Sequence, residues 1–164
     1  MTYRICLVCL GNICRSPMAA VVIKHRLDKV GLTDRVSVES AGTGEWHVGE
    51  PADPRALAAL RERGYDGAAH RARKFTADWF DRFDLVLAMD QDNYADLTRL
   101  AAAHGSEVRV RLLRSYDPAA RAAGELDVPD PYYGGADGFA HVLNQLERAA
   151  DGLVDSLQEE LRDR

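Results

Sequence analysis

The feature that most restricts the fold of this chain is an apolar run that leads through a glycine-containing loop into a helical segment. The apolar run is Ile5–Val8, the loop is Cys9–Ser16, and the helical segment is Met18–Val30. A continuous apolar run of this length is typical of a strand in a sheet that is covered on both faces. A strand, a tight loop and a helix in this order predict the first unit of a parallel α/β sheet.

The rest of the chain repeats this alternation of strand and helix. The predicted strands are Tyr3–Val8, Val36–Glu39, Leu85–Ala88 and Val108–Leu112. The predicted helices are Met18–Val30, a segment from Asp53-Pro54 to the residue before Gly64, Gln91–Ala103, and a segment from Ala136 to about Leu161. The sequence therefore predicts an α/β fold, a doubly wound four-stranded parallel sheet with helices on both faces, and a single domain over residues 1–164.

The loop after the first strand has the composition of an anion-binding site. Backbone N–H groups and the positive end of the helix dipole converge at such a turn, so a tetrahedral oxyanion fits there. This field is expected to favour the thiolate form of Cys9. Arg15 can hold two oxygens of the anion through its planar fork of donors. We therefore predict that Cys9 is a nucleophile and that Arg15 binds the anion.

Other residues of the loop favour a tight bend. Gly11 is expected to adopt a positive φ, and Asn12 belongs to the other residue type that tolerates the left-handed region. Two roles are open for Ser16: it caps the following helix, or it donates its hydroxyl proton to the sulfur of Cys9. Pro17 suits the first position of that helix, because an N–H group there would have no partner.

A second chemically informative stretch is Val128–Gly135. Two prolines flank Asp130 and stiffen the backbone, which favours a loop. A carboxylic acid presented from a loop is a usual proton donor to the oxygen of a leaving group. From the pattern alone Asp130 competes with three other aspartates of this region, Asp117, Asp127 and Asp137.

Composition narrows the class of protein. The 164 residues are 46% hydrophobic and 29% charged, which suits one domain with a hydrophobic core. The net charge of −5 argues against general nucleic-acid binding, which relies on a basic surface. The chain has no secretory signal pattern and no apolar run of about 20 residues, so we expect a cytoplasmic protein without membrane attachment. The three cysteines do not have the even number of a disulfide framework.

These motifs resemble a known family, the low-molecular-weight protein tyrosine phosphatases, and the chain is identified as a bacterial member. The resemblance covers essentially all 164 residues, in the family's order. The matching segments are Cys9–Pro17, Ser40–His47, His70–Arg73, Met89-Asp90 followed by Asn93, and Asp130–Tyr133. The family's fold is a four-stranded parallel sheet with helices on both faces, and its reaction is the hydrolysis of phosphotyrosine through a cysteinyl-phosphate.

The resemblance implies the catalytic roles. Cys9 is the nucleophile, and Arg15 binds the phosphate. Asp130 is the general acid and base, since the Asp-Pro-Tyr-Tyr motif selects it over the other aspartates. No metal or other cofactor is expected, because Arg15 and the loop amides neutralise the charge that Mg²⁺ neutralises in other phosphoryl-transfer enzymes.

The resemblance also implies supporting residues. A hydrogen-bond network that fixes the loop consists of Asn12, Ser40 and His70, and Asp90 forms a structural ion pair with Arg73. The substrate slot is formed by Leu10, Gly11, Asn12, Ile13, Cys14, Ser16, Trp46, His47, Tyr132 and Tyr133. Aromatic walls make the slot deep enough for phosphotyrosine rather than the shorter phosphoserine. For Trp46, packing in the core is the alternative.

Three other functions are compatible with parts of the sequence. Metal binding by Cys6, Cys9 and Cys14 lacks a fourth ligand nearby, and Cys6 lies inside a strand. Thiol-dependent arsenate reduction on a closely similar fold uses further cysteines downstream, and none follows Cys14. Phosphoarginine hydrolysis is the nearest alternative, since related enzymes of that specificity have threonine at the position of Ile13. The larger apolar side chain of Ile13 favours an aryl phosphate instead.

The expected partners are tyrosine-phosphorylated proteins, and the resemblance adds a tyrosine kinase that modifies Tyr132 and Tyr133. The chain is expected to be a monomer or a weak dimer. Because Cys9 and Cys14 share one tight loop, a disulfide between them is expected to protect an oxidised Cys9; the alternative is that Cys14 only packs beneath the loop. Leu10, at the rim of the slot, departs from the common loop sequence of the family, in which many members have threonine at this position.

Overall fold

A parallel sheet forms the centre of the protein in the computed structural model, which describes residues 2–132 and 134–162. Within these residues its strands are β1 (Tyr3–Cys9), β2 (Val36–Gly42), β3 (Leu85–Ala88) and β4 (Arg109–Leu112). They are hydrogen-bonded in the order β2-β1-β3-β4, and every pair is parallel. The predicted α/β fold with a four-stranded parallel sheet is confirmed. The second strand continues three residues beyond its predicted end at Glu39, up to Gly42.

Helices pack on both sides of this sheet. In the described part of the chain they are α1 (Arg15–Lys29), α2 (Pro54–Glu62), α3 (Gln91–His104), α4 (Pro118–Ala123) and α5 (Ala136–Arg162), with 3₁₀ segments at Ala77–Arg82 and Leu113–Tyr116. The Asp53 side chain accepts the N–H of Arg55 at 2.8 Å and so begins α2, as the Asp-Pro pair predicts. Gly105 ends α3 at a φ of 74°. The sequence analysis misses α4 and both 3₁₀ segments, because each is too short to produce a clear apolar period.

Side chains of β1 alternate between two hydrophobic layers. Ile5 and Leu7 point into the layer that contains residues of α1, α2 and α5. Cys6 and Val8 point into the opposite layer, which contains Phe80 and residues of α3. Burial on both faces explains why the first strand is a continuous apolar run instead of an alternating one.

The sheet places the Cys9–Ser16 loop between other strand ends. Because β1 lies between β2 and β3 and all strands are parallel, the segments that follow these strands meet at one edge of the sheet. The loop that follows Cys9 therefore contacts the end of β2 on one side and Met89–Asp90 on the other. Among the described residues, no helix is both long enough and apolar enough to cross a membrane.

Candidate active site

The Cys9–Ser16 segment, called here the phosphate loop, surrounds the sulfur of Cys9 with polar groups. The backbone N–H of Asn12 donates to Cys9 Sγ at 3.3 Å. Ser16 Oγ lies 3.0 Å from the same sulfur. Cys9 is buried at the end of β1, so these two groups provide polar contacts where few water molecules reach. The arrangement suits a negatively charged sulfur.

The left-handed residue of the phosphate loop is Asn12, with a φ of 59°. The expectation that Gly11 takes the positive φ is wrong. Asparagine adopts this conformation more readily than other residues with a side chain, and here its side-chain amide is held on both sides. A Cβ atom at Gly11 would lie 3.2 Å from the ring of His47, so this ring would have to shift slightly to accept a larger residue there.

Asn12 is the centre of a hydrogen-bond network that reaches distant parts of the chain. Its side-chain NH₂ donates to Ser16 Oγ at 2.8 Å and to Ser40 Oγ at 3.0 Å. Its side-chain oxygen accepts the N–H of Arg73 at 2.8 Å, and its backbone oxygen lies 2.6 Å from His70 Nε2. The structure thus brings together Asn12, Ser40 and His70, the three residues that the resemblance places in one network.

His70 is held in its neutral form by its surroundings. Burial lowers the pKa of His70, and the nearby charges of Arg73, Arg71 and Lys24 lower it further, although the hydrogen bond to Asn12 opposes this. A neutral imidazole that donates from Nε2 to the Asn12 carbonyl oxygen fits this environment.

Gly42, at the end of β2, lies directly against the phosphate loop. A Cβ atom at this position would be 2.6 Å from the backbone oxygen of Leu10 and 3.1 Å from the backbone nitrogen of Asn12. Any larger residue would therefore push the loop away from β2. The sequence analysis does not single out Gly42, although the Ser40–His47 motif contains it.

Arg15 is buried and anchored by two acceptors. Its NH1 group donates to Asp90 Oδ2 at 2.6 Å and to the backbone oxygen of Val128 at 3.0 Å. Burial alone would lower the pKa of Arg15, but Cys9 and Asp90 outweigh this and raise it, so the guanidinium stays charged. The implied ion pair between Asp90 and Arg73 is wrong: Asp90 pairs with Arg15, and Arg73 pairs with Glu39 at 2.9 Å.

The first turn of α1 also differs from expectation. The capping position is occupied by Cys14, without a side-chain capping bond, and Ser16 lies inside the helix. The capping role of Ser16 is therefore wrong, and its hydroxyl faces Cys9 instead. Pro17 is the third residue of the helix rather than the first. The helix thus begins at Arg15, three residues before its predicted start at Met18.

Asp130 is the aspartate of its region that reaches the catalytic pocket. Its side chain is 40% exposed, and Oδ2 lies 3.7 Å from Arg15 NH2. Its Oδ1 accepts the N–H of Tyr132 at 3.0 Å. Asp117 instead begins α4, and Asp127 accepts the N–H of Gln91 at 2.9 Å. Asp137 lies in the first turn of α5. These three aspartates therefore have structural positions outside the pocket.

The catalytic pocket has a volume of about 370 Å³. Its lining residues are Cys9, Leu10, Gly11, Ile13, Cys14, Arg15, Trp46, His47, Asp130 and Tyr132. Trp46 is 71% exposed, so packing in the core is wrong for this residue. Tyr133, also predicted for the slot, lies outside the described residues. Asn12 and Ser16 lie behind the pocket wall, where they support Cys9.

Arg55 connects the phosphate loop to the loop that carries Asp130. Asp53 donates its backbone N–H to the Ile13 oxygen at 2.8 Å, and its carboxylate pairs with Arg55 at 2.9 Å. The guanidinium of Arg55 lies 5.5 Å from the centre of the Tyr132 ring and donates to the Gly134 oxygen at 3.3 Å. The sequence analysis assigns no role to Arg55, whose only signal is its position beside the Asp-Pro pair.

The three cysteines do not form a common metal site. Cys6 and Cys9 lie on opposite faces of β1, since their side chains belong to different hydrophobic layers. Burial raises the pKa of the Cys14 thiol, and the Asp53 carboxylate raises it further. Burial also raises the pKa of Cys6. Cys9 is the cysteine whose sulfur meets both a backbone N–H group and a hydroxyl group.

Comparisons with known proteins agree with this arrangement. Residues 4–163 match the sequence model of the family described as low molecular weight phosphotyrosine protein phosphatase. A low molecular weight protein-tyrosine-phosphatase from Streptomyces coelicolor is 53% identical over 164 residues, which cover 100% of this chain and 99% of the relative.

Two solved structures have the same fold. The crystal structure of a protein tyrosine phosphatase from Entamoeba histolytica, with Hepes in its active site, is similar with a TM-score of 0.88 and 34% identity, covering 97% of this chain and 99% of that one. An arginine phosphatase from Drosophila has a TM-score of 0.86 and 32% identity, covering 94% of this chain and 97% of that one.

Proposed function

This chain belongs to the low molecular weight phosphotyrosine protein phosphatase family, a family of hydrolases, and we propose that it hydrolyses phosphotyrosine in proteins through a cysteinyl-phosphate. The observation that carries this proposal is that Cys9, Arg15 and Asp130 line one pocket. A nucleophile, an anion-binding group and a proton donor are the groups that the reaction needs.

Cys9 attacks the phosphorus atom as a thiolate, forming the S–P bond while the P–O bond to the tyrosyl group breaks. The N–H of Asn12 and the hydroxyl of Ser16 stabilise the sulfur before attack. The backbone amides of the phosphate loop and Arg15 hold the non-bridging oxygens of the transferred group. NH1 of Arg15 is already bound to Asp90 and Val128, so NH2 and Nε are the donors that reach the phosphate.

Asp130 donates a proton to the bridging oxygen as it leaves. The carboxyl group lies at the mouth of the pocket, within 3.7 Å of Arg15, where the oxygen of a bound tyrosyl phosphate would emerge. In the second step Asp130 takes a proton from water, which attacks phosphorus and breaks the S–P bond. Ser16 then stabilises the departing thiolate, and inorganic phosphate is released.

The walls of the pocket favour an aryl phosphate as the substrate. Trp46, His47 and Tyr132 surround the mouth, and the rings of His47 and Tyr132 have their centres 6.1 Å apart. Flat apolar surfaces of this kind pack against a phenyl ring but leave the shorter phosphoserine poorly held. Ile13 adds an apolar wall, which is unfavourable for the charged guanidinium of phosphoarginine.

Phosphoarginine hydrolysis is the second candidate, because the similar structures include an arginine phosphatase. The experiment that separates the two is turnover of phosphotyrosine, phosphoserine and phosphoarginine peptides side by side, without added metal. We expect phosphotyrosine to have the largest kcat/KM. Fastest turnover of the phosphoarginine peptide would replace the proposal with the alternative, and phosphoserine as the best substrate would contradict both.

A further inference from the structure

A second groove lies behind the phosphate loop and has a volume of about 460 Å³. Its described lining residues differ from those of the catalytic pocket. The apolar part of its wall consists of Pro17, Ala20 and Val21 from α1 together with Val38 from β2. Seven of its thirteen described lining residues are polar or charged, so a ligand of this groove would combine apolar contact with charge. We propose that it binds a small organic anion, a carboxylate or phosphate carried on an apolar body.

The charged rim of the groove is predominantly basic. Three cations, Lys24, Arg71 and Arg73, lie on the rim with two carboxylates, Glu39 and Asp66, and neutral His70 lies beside them. The carboxylate of Glu39 is already paired with Arg73 at 2.9 Å and with Arg82 at 3.4 Å. Asp66 accepts the backbone N–H of Ala68 at 2.9 Å, in a local turn. Among the described residues, neither carboxylate lies within ion-pair distance of Lys24 or Arg71.

Lys24 and Arg71 are the two cations that a ligand can use. Arg71 donates to the backbone oxygens of Ala68 and His70, at 3.3 Å and 2.7 Å, and to no carboxylate in the described chain. Lys24, on α1, takes part in no ion pair among residues 2–132 and 134–162. An anion that reached either cation would gain a charge-assisted hydrogen bond without displacing an existing ion pair.

The positive charges of this rim affect the pKa of His70. Arg73, Arg71 and Lys24 are near enough to its ring to add to the effect of burial and lower its pKa. Its Nε2 is bound to Asn12, and Nδ1 has no hydrogen-bond partner among the described residues. An anion in the groove would offset this positive charge and make protonation of Nδ1 easier. Because binding would favour protonated His70, whose pKa is lowered from the usual histidine range, the affinity for the anion should rise as the pH falls below about 6.5.

The groove is connected to the catalytic pocket through Asn12. Three of its lining residues, Ser40, His70 and Arg73, are the distant partners that hold Asn12 in its left-handed conformation. A ligand that fixes these three residues would therefore favour the phosphate-binding shape of the loop. Coupling between two sites is reciprocal, so occupation of the catalytic pocket should strengthen binding in the groove by the same factor.

The test measures binding of 2-naphthoate and of 2-naphthylphosphonate by NMR, first without vanadate and then with the catalytic pocket saturated by vanadate. The expected result is saturable binding that shifts the signals of Lys24, His70 and Arg71, with a raised titration midpoint for the His70 ring. The two probes separate a carboxylate ligand from a phosphate-like ligand. The matched cation, 2-naphthylmethylammonium, is expected not to bind.

Variants locate the site. We expect Lys24→Ala and Arg71→Ala each to weaken binding of the anionic probe about 3- to 10-fold. Lys29→Ala, which removes a lysine from the same helix outside the groove, should leave binding unchanged. Replacing His70 with Gln should remove the pH dependence of affinity.

Three outcomes would overturn the proposal. They are displacement of both probes by vanadate, equal binding of the naphthylmethylammonium cation, and no saturable binding of either anion up to about 10 mM. Because binding is observed directly and not through turnover, each of these outcomes leaves the proposed phosphatase reaction untouched.

Discussion

The phosphate loop and the acid loop, of which the structure describes residues 128–132 and 134–135, are built in opposite ways. Asn12, Arg15 and Ser16 of the phosphate loop are buried, and their partners come from β2, from residues 70–73, from Asp90 and from Val128 at the start of the acid loop. The Asp130 side chain of the acid loop is 40% exposed, against 3% for Arg15. Charge stabilisation benefits from groups that are fixed before substrate arrives, whereas the proton donor must stand where the leaving group passes. The comparison indicates that rigidity is concentrated where charge develops.

The largest expected effect tests whether the phosphate loop keeps its shape without its nucleophile. Cys9→Ser should lower turnover of phenyl phosphate by at least about 10⁴-fold, because no S–P bond can form. Binding of inorganic phosphate, measured by calorimetry, should persist because the amides and Arg15 remain. Arg15→Ala is the contrasting variant and should lose both properties. Loss of phosphate binding in Cys9→Ser would show that the loop is not independently rigid.

The acid loop is tested by the dependence of rate on the leaving group. Asp130→Asn should slow hydrolysis of phenyl phosphate by about 10²–10⁴-fold, because phenolate is a poor leaving group without a proton. Hydrolysis of 4-nitrophenyl phosphate should fall much less, since nitrophenolate leaves without protonation. Steady-state rates for the two substrates give the comparison. Equal losses on both would remove Asp130 as the acid.

Oxidation tests whether the phosphate loop can rearrange. Peroxide should convert the Cys9 thiolate to a sulfenic acid, and Cys14 should then form a disulfide with it, releasing water. Most activity should return in the wild type when a thiol reductant is added, but not in Cys14→Ser, and phosphate should protect both. Activity and peptide mass follow the change. Equal recovery in the two proteins would mean that Cys14 only packs beneath the loop.

A substitution of Ile13 in the phosphate loop tests the choice between phosphotyrosine and phosphoarginine. Ile13→Thr should raise hydrolysis of phosphoarginine relative to phosphotyrosine by about tenfold, because it replaces an apolar wall with a smaller polar one. The ratio of the two kcat/KM values is the measurement. Ile13→Val is the control that keeps an apolar wall and should change the ratio little. An unchanged ratio in Ile13→Thr would exclude this residue from substrate choice.

The smallest expected effect concerns the link between the two loops. Arg55→Ala should lower kcat for phenyl phosphate about 3- to 10-fold, because the acid loop loses its contacts at Tyr132 and Gly134. The rate with 4-nitrophenyl phosphate should stay nearly constant, which a general loss of structure would not allow. Arg55→Lys keeps the charge but not the planar fork and should recover only part of the rate. Equal losses on both substrates would place Arg55 outside the acid step.

Local features of the site could be predicted from the sequence, and distant pairings could not. The strand–loop–helix unit of Cys9 and Arg15 lies within a few residues, so residue type and spacing indicate it. The partner of Asp90 could not be predicted in this way. Asp90 lies 75 positions from Arg15, and from the sequence either Arg15 or Arg73 could pair with it. Only the strand order, which puts β3 beside β1, shows which arginine is near.

Two backbone details, the residue with positive φ and the start of α1, also differ from the sequence prediction. Glycine is the usual choice for a positive φ, yet Asn12 takes that conformation, because its amide group is held by Ser40 and Arg73. Ser16 has the sequence context of a helix cap, but the helix starts one residue before it. For Asn12, long-range hydrogen bonds outweigh the local preference of the residue, whereas the Ser16 hydroxyl contacts Cys9 and Asn12 within the same loop.

The network around Asn12 has a consequence for how the protein assembles. Its partners Ser40, His70 and Arg73 lie 28, 58 and 61 positions further along the chain. The strand and helix on either side of the loop can form from short-range contacts, but the left-handed turn is secured only after β2 and residues 70–73 have docked. During refolding, recovery of phosphate binding should therefore lag behind recovery of helical circular dichroism. Anion affinity is thus a measure of completed long-range assembly, in a segment that looks entirely local in the sequence.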